Sequence, residues 1–200
     1  MPSPTFRADN GWRSRPIFGA LRLRPPSAQH TVAEGLMLRE LAREAGVIVE
    51  IGVAEGGSAW EAAQVMRPDA TLHLIDPYFR RTMGGFVPAR VIARRLVDSV
   101  ARGPVSWHEC FSHEAVEGWA NSIDFLFIDG DHTYDGVRRD FEEWTPHLAA
   151  GGSVALHDAR LQSGWTRPEH GPARLLAELA ASPAWAVTGG VDSLAVLRRA

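Results

Sequence analysis

The chain has 200 residues, 45% of them hydrophobic and 22% charged, with a formal net charge of -3. That length suits one α/β domain, and the slightly acidic balance excludes a general nucleic-acid binder, which would be basic. A single cysteine, Cys110, excludes an intramolecular disulfide and fits a reducing cytoplasm, and no apolar run reaches the ~20 residues of a membrane span.

Residues 1–29 read as an irregular arm, and 30–200 as the folded domain. The arm carries Pro2, Pro4, Pro16, Pro25 and Pro26, and Arg7, Asp9, Arg13 and Arg15 interrupt any apolar signal core. It reads as a solvated tail or as a lid or dimer arm. From Thr31 the pattern is helical, with Val32, Leu36, Leu38, Leu41, Ala42 and Ala45 in register and Gly46 as a stop. VIVEIG (47–52) is a short apolar run ending in an acid and a glycine, the pattern of a buried parallel strand. A helix follows over 58–66, then a strand over TLHLID (71–76). Pro88 starts a helix over 88–100 with Val91, Ile92, Leu96 and Val100 inward. VSWHE (105–109) is the third strand, with a short helix over 113–119. IDFLFID (123–129) is apolar enough to be central in the sheet. A helix over 133–148 faces inward through Val137, Phe141, Trp144 and Leu148. Gly151 and Gly152 then turn the chain into a strand, SVALHD (153–158). A loop over 159–170 and a helix near 172–181 precede two strands around a Gly-Gly turn in 185–197.

Repeated βα units imply a doubly wound, Rossmann-like α/β fold: a mostly parallel, seven-stranded sheet with helices on both faces and an antiparallel C-terminal hairpin. Such sheets bind ligands beyond the carboxyl ends of their strands. Those ends carry Glu50, Asp76, Asp129 and the pair His157–Asp158, which should share one rim. Carboxylates gathered there repel, so a cation or hydrogen-bond donors should lie among them. The glycine loop EIGVAEGGSAW (50–60) opens a helix whose free N–H groups suit a carboxylate. Asp76, at the end of the second strand, is placed to hold the hydroxyls of a ribose. Together they point to a nucleoside-containing ligand.

The run Glu50-x-Gly52-x-x-x-Gly56-x-Ser58, followed by LIDPY (74–78), resembles the first two motifs of class I S-adenosylmethionine (SAM)-dependent methyltransferases. The stretch FIDGDHTYDGVRRDFEEWTPHLAAGGSVALHDA (127–159) resembles a small-molecule O-methyltransferase subgroup. That subgroup includes antibiotic sugar O-methyltransferases and cephalosporin-hydroxylase-like proteins, and the wider group is of the catechol O-methyltransferase type. The resemblance implies that Glu50, Gly52, Ala54, Gly56 and Ser58 surround the amino-acid end of SAM, and that Asp76 binds its ribose. It places Ser112 and His113 by the adenine, and Asp129 beside both the methyl donor and a divalent metal. Asp158 would be a second metal ligand and His157 a third. His157 stands where some relatives have a carboxylate or amide, which leaves the metal open between magnesium and manganese or iron.

His132, three residues after Asp129, sits where metal-dependent relatives hold the proton acceptor, and a histidine titrates near working pH. It also reads as a helix-start residue that caps or packs, and Asp131 could serve instead, as a metal ligand or as an orienter of His132. Aromatics in loops, Trp12, Phe79, Phe86 and Trp165, read either as an acceptor pocket hinged at Gly84 and Gly85 or as surface packing. The resulting expectation is a cytoplasmic, homo-oligomeric enzyme that methylates a hydroxyl of a small metabolite. The competing expectations are a non-catalytic SAM-binding module and a nicotinamide-dependent oxidoreductase. The oxidoreductase is disfavoured because IGVAEGGSA lacks the G-x-G-x-x-G spacing.

Overall fold

The central strands are buried, mostly apolar runs whose side chains alternate between two helical layers, and this positions everything else. The computed structural model describes residues 26–78 and 87–200. The arm up to residue 25, with Trp12, and the loop containing Phe79, Arg80, Arg81, Gly84, Gly85 and Phe86 lie outside the described residues. The elements in order are α1 (Val32–Arg43), β1 (Val47–Ile51), α2 (Gly57–Val65), β2 (Thr71–Ile75), α3 (Pro88–Asp98), β3 (Val105–His108) and α4 (Ser112–Ala115). There follow β4 (Ile123–Ile128), α5 (Tyr134–Trp144), β5 (Leu148–Leu156), α6 (Gly171–Ala181), β6 (Trp185–Val191) and β7 (Leu194–Arg199).

The sheet has seven strands in the order β3-β2-β1-β4-β5-β7-β6. The first five are parallel, while β7 runs antiparallel to both β5 and β6. This is the Rossmann-like arrangement with a C-terminal hairpin that the strand pattern predicts. Residues of one parity, such as Ile48, Leu72, Leu74, Phe125 and Phe127, pack under α1, α2 and α3. Those of the other parity, Val49, Ile51, Leu126, Ile128 and Val154, pack under α5 and α6. Each fully buried Leu, Ile or Phe contributes ~1.5–3 kcal/mol. No helix among the described residues is long and apolar enough to cross a membrane.

Several predicted details are corrected. On α1, Val32 and Leu36 are exposed, while Glu34, Gly35, Leu38 and Ala42 are buried. The inward face is rotated because Gly35 lets α1 close on Glu61 of α2. On α3 the buried residues are Ile92, Ala93, Leu96 and Val97, and Val91 and Val100 are only partly buried. The short helix α4 ends at Ala115. A 3-10 turn at Thr145–His147, containing Pro146, ends α5 early, so Leu148 is not on a helix. It already pairs with Ile123, and β5 runs through Gly151 and Gly152 with a register shift. The C-terminal hairpin turns at Asp192–Ser193 rather than at Gly189–Gly190, which lie inside β6 beside a shift in register. The turn falls there because Ser193 is held by Glu34 through both its N–H and its hydroxyl.

Candidate active site

Strand order reverses between β1 and β4, and a cavity of 740 Å3 opens at the carboxyl edge there. Gly52, Ala54 and Ser58 line it from the β1–α2 turn, Asp76 from β2, Ser112 and His113 from α4, and Asp129 and His132 from the β4 exit. Gly52 has φ +87, and a Cβ there would stand 2.2 Å from the Asp129 carbonyl oxygen. Only glycine permits so close a crossing in that conformation. Asp76 braces the same turn. Its Oδ2 accepts the Val53 and Ala54 N–H groups at 3.0 and 2.9 Å, and its Oδ1 accepts the Tyr78 N–H at 2.7 Å. No side chain caps α2, and Gly57 and Ser58 of its first turn line the cavity. An uncapped helix start leaves N–H donors for an anionic group.

Glu50, Gly56, His157 and Asp158 do not line the cavity. Glu50 lies beneath the turn, 2% exposed, and accepts the Ser58 hydroxyl at 2.5 Å. Burial pushes its carboxyl up to about 8, against the Ser58 hydrogen bond and with the help of Asp129 and Asp76. Gly56 faces α3, where a Cβ would meet Ala93 Cα at 3.0 Å.

His157 and Asp158 join Asp129 and His132 in one cluster. His157 Nδ1 is 3.0 Å and His132 Nε2 is 3.3 Å from Asp129 Oδ1. Asp158 Oδ2 is 3.4 Å from His132 Nε2 and 3.8 Å from His157 Nδ1. The Trp165 indole donates to Asp158 Oδ1 at 2.7 Å, so this loop aromatic supports the cluster. Burial opposes charge on Asp129, yet the charge of His157 and hydrogen bonds from His132 and His157 hold its carboxyl near 2. Burial likewise opposes charge on His157, and Asp129, Glu34 and Asp158 outweigh it, lifting the ring to about 10. Hydrogen bonds to Asp129 and Asp158 raise His132 to about 9. Asp129, His132 and His157 each offer a donor atom within 4.8 Å of the others. Atoms bound to one ion at ~2.0–2.2 Å stand about 3 Å from one another, and the separations recorded in this cluster run from 3.0 to 3.8 Å. The donor chemistry therefore fits a divalent cation.

Sequence reasoning missed several lining residues. Ser27 and Gln29, at the end of the expected arm, and His30, at the start of the expected domain, form one wall. Ala28 lies so close to Gly57 that a Cβ there would meet its Cα at 2.7 Å. Arg139 and Asp140 of α5 also line the cavity, and Asp140 accepts the Ser112 hydroxyl. Burial pushes the Asp140 carboxyl up to about 6, despite that hydrogen bond. An acid between Val137 and Phe141 on an apolar stripe was the available signal. Nothing local in the sequence marks Ser27 or Gln29.

A family model described as a methyltransferase domain matches residues 49–159. The fold resembles the O-methyltransferase TomG from Streptomyces achromogenes, solved with SAM, at 22% identity and a TM-score of 0.67, covering 92% of this chain and 87% of that one. It also resembles the Bacillus cereus O-methyltransferase solved with S-adenosylhomocysteine (SAH), at 18% identity and 0.64, covering 91% and 87%. The SAH-bound Podospora anserina methyltransferase PaMTH1 matches at 16% identity and 0.63, covering 92% and 87%. In sequence, 51 residues are 40% identical to the uncharacterized protein y4gI of Sinorhizobium fredii, 26% of this chain and 5% of that protein's length.

Proposed function

The chain belongs to the methyltransferase-domain family, and from that premise we propose that it is a SAM-dependent O-methyltransferase acting on a hydroxyl of a small metabolite, a sugar or phenol, with the help of a divalent cation. The observation that carries this reading is that one cavity is lined by the β1–α2 turn, Asp76, Asp129 and His132, with His157 and Asp158 in contact with the last two. The SAM- and SAH-bound relatives of the same fold support the cofactor.

SAM supplies a methyl group already activated on a sulfonium. The Gly57 and Ser58 end of α2 would receive its carboxylate, Asp76 its ribose, and Ser112 and His113 its adenine. Asp129 stands between this cofactor end and the cation cluster. Asp129, His157 and Asp158 would hold the cation, whose charge lowers the pKa of an acceptor hydroxyl and fixes its place. His157 and Asp158 each have a supporting partner behind them, Glu34 and Trp165, as metal ligands ordinarily do.

His132 is the exposed member of the cluster, with 47% of its side chain accessible, and is suited to take the acceptor's proton. Beside Asp129 and Asp158 it stays protonated at neutral pH. With those carboxylates engaged by a cation it returns toward the ordinary range and can act as a base. Alignment of the acceptor with the methyl group is the larger contribution, worth roughly 7–11 kcal/mol.

The test is calorimetry with SAM and with NADH, followed by a hydroxylated-acceptor screen with and without EDTA. SAM binding without NADH binding, and SAM consumption that stops in EDTA, are expected. NADH binding would turn the assignment to an oxidoreductase. SAM binding with no turnover on any acceptor would turn it to a non-catalytic module.

A further inference from the structure

We propose that Glu34 is a positioning residue for the cation site: it fixes His157 so that Nδ1 is presented to the cluster. This rests on the cation reading above. His157 is 2% exposed, and its two ring nitrogens face different carboxylates. Nδ1 lies 3.0 Å from Asp129 Oδ1, and Nε2 lies 3.4 Å from Glu34 Oε2. The Phe127 ring packs edge-on against the imidazole, which restricts its rotation.

Glu34 is 0% exposed and held both by the start of its own helix and by the distant C-terminal hairpin. Its Oε1 accepts the Ser193 N–H at 2.9 Å and the Ser193 hydroxyl at 2.6 Å, and its Oε2 accepts the Thr31 N–H at 2.8 Å. Thr31 and Glu34 form a capping box at the start of α1. A capping box works with Glu or Gln, so capping alone does not call for a buried carboxylate. A buried carboxylate needs compensating partners, and among the described residues, beside the Ser193 and Thr31 donors, His157 is the one ionisable group that faces it. An N–H from Nε2 to Glu34 leaves the Nδ1 lone pair directed at the cluster. A ligating histidine commonly gives its other N–H to a carboxylate in this way, which sets its tautomer and raises its basicity.

Both Glu34 oxygens are acceptors, so Glu34→Gln must set an NH2 against one set of donors. With the amide oxygen kept on Ser193, that NH2 faces His157 Nε2 and favours the tautomer with the proton on Nδ1. That tautomer cannot ligate through Nδ1.

The experiment titrates the full-length protein with cobalt(II) and follows its visible absorption. SAM calorimetry and thermal melting run alongside. The wild type is expected to give a saturable spectrum. Glu34→Gln should weaken cobalt(II) binding about 10–100-fold and change the band shape, with SAM affinity within a few-fold. Ser193→Ala keeps the carboxylate and loosens it. It should shift binding in the same direction by a smaller factor, and this covers the case in which Glu34→Gln fails to fold. Cobalt(II) affinity and spectrum equal to wild type in the soluble variants would overturn the assignment and leave Glu34 as a cap. A wild type that gives no cobalt(II) spectrum would overturn the cation reading itself, and this assignment with it.

Discussion

Asp129 crosses Gly52 so closely that its N–H bonds to the Ile51 carbonyl at 2.8 Å, while its own carbonyl occupies the place of a Gly52 Cβ. The turn proposed for the cofactor and the cluster proposed for the cation are thereby built on one crossing point between β1 and β4. Gly52→Ala adds left-handed strain and a backbone collision, a loss of about 2 kcal/mol or more. The melting temperature should fall by about 4 °C or more, with SAM affinity falling in parallel. An unchanged melting curve would contradict the close crossing.

Asp76 both braces the turn and lines the cavity. Asp76→Ala removes the acceptor of the Val53, Ala54 and Tyr78 N–H groups, and with them the proposed ribose contact. Hydrogen bonds to charged groups are worth ~1.5–3 kcal/mol, so SAM affinity should drop about 10–100-fold. Asp76→Asn, which keeps one acceptor oxygen, should fall between. Calorimetry gives the ranking, and Asp76→Ala binding as tightly as wild type would refute it.

Glu50 gives a pH signature. Its native carboxyl titrates near 8 and its unfolded one near 4.5, so the folded state holds the extra proton between those values. This stabilisation is fully present below pH ~4.5 and is lost as pH rises through 8. Wild-type stability should decline across that window, and the decline should be shallower in Glu50→Gln. The raised values of His132 and His157 add a separate loss from pH ~6.5 up to 9 or 10. That loss is common to both proteins and cancels in the difference. Parallel denaturation profiles from pH 5 to 8 would exclude the buried neutral carboxyl.

Asp158 belongs to the cluster but not to the cavity wall. Asp158→Ala should abolish turnover and leave SAM affinity within a few-fold. Trp165→Phe, which removes the indole donor from Asp158, should lower kcat by no more than about 10-fold. Loss of SAM binding in Asp158→Ala would mean that cofactor and cation sites are not separable as described.

Much of this was legible in the chain because it depends on short-range rules. Val47–Ile51 and Ile123–Ile128 are apolar apart from Glu50 and Asp124, so their burial as central strands follows from their composition. Asp76 and Asp129 directly follow strands, which put both on the carboxyl rim. Where a signal had two readings, tertiary contacts chose. Gly189–Gly190 resembles a hairpin turn, but Ser193 is anchored to Glu34 and the chain turns there. Leu148 continues a helical stripe, but Pro146 and pairing with Ile123 put it in β5.

By itself the sequence determined the order of strands and helices along the chain and which acids stand at strand ends, since these follow from periodicity and chain direction. Only the tertiary structure decided that Glu34, 123 residues from His157 in the chain, lies behind it, that Trp165 supports Asp158, and that Ser27 and Gln29 wall the cavity. The contacts of Glu34, Ser27 and Gln29 join segments far apart in sequence, and Trp165 reaches back seven residues across a loop. Their existence depends on how helices close over the sheet, and no local pattern encodes that packing.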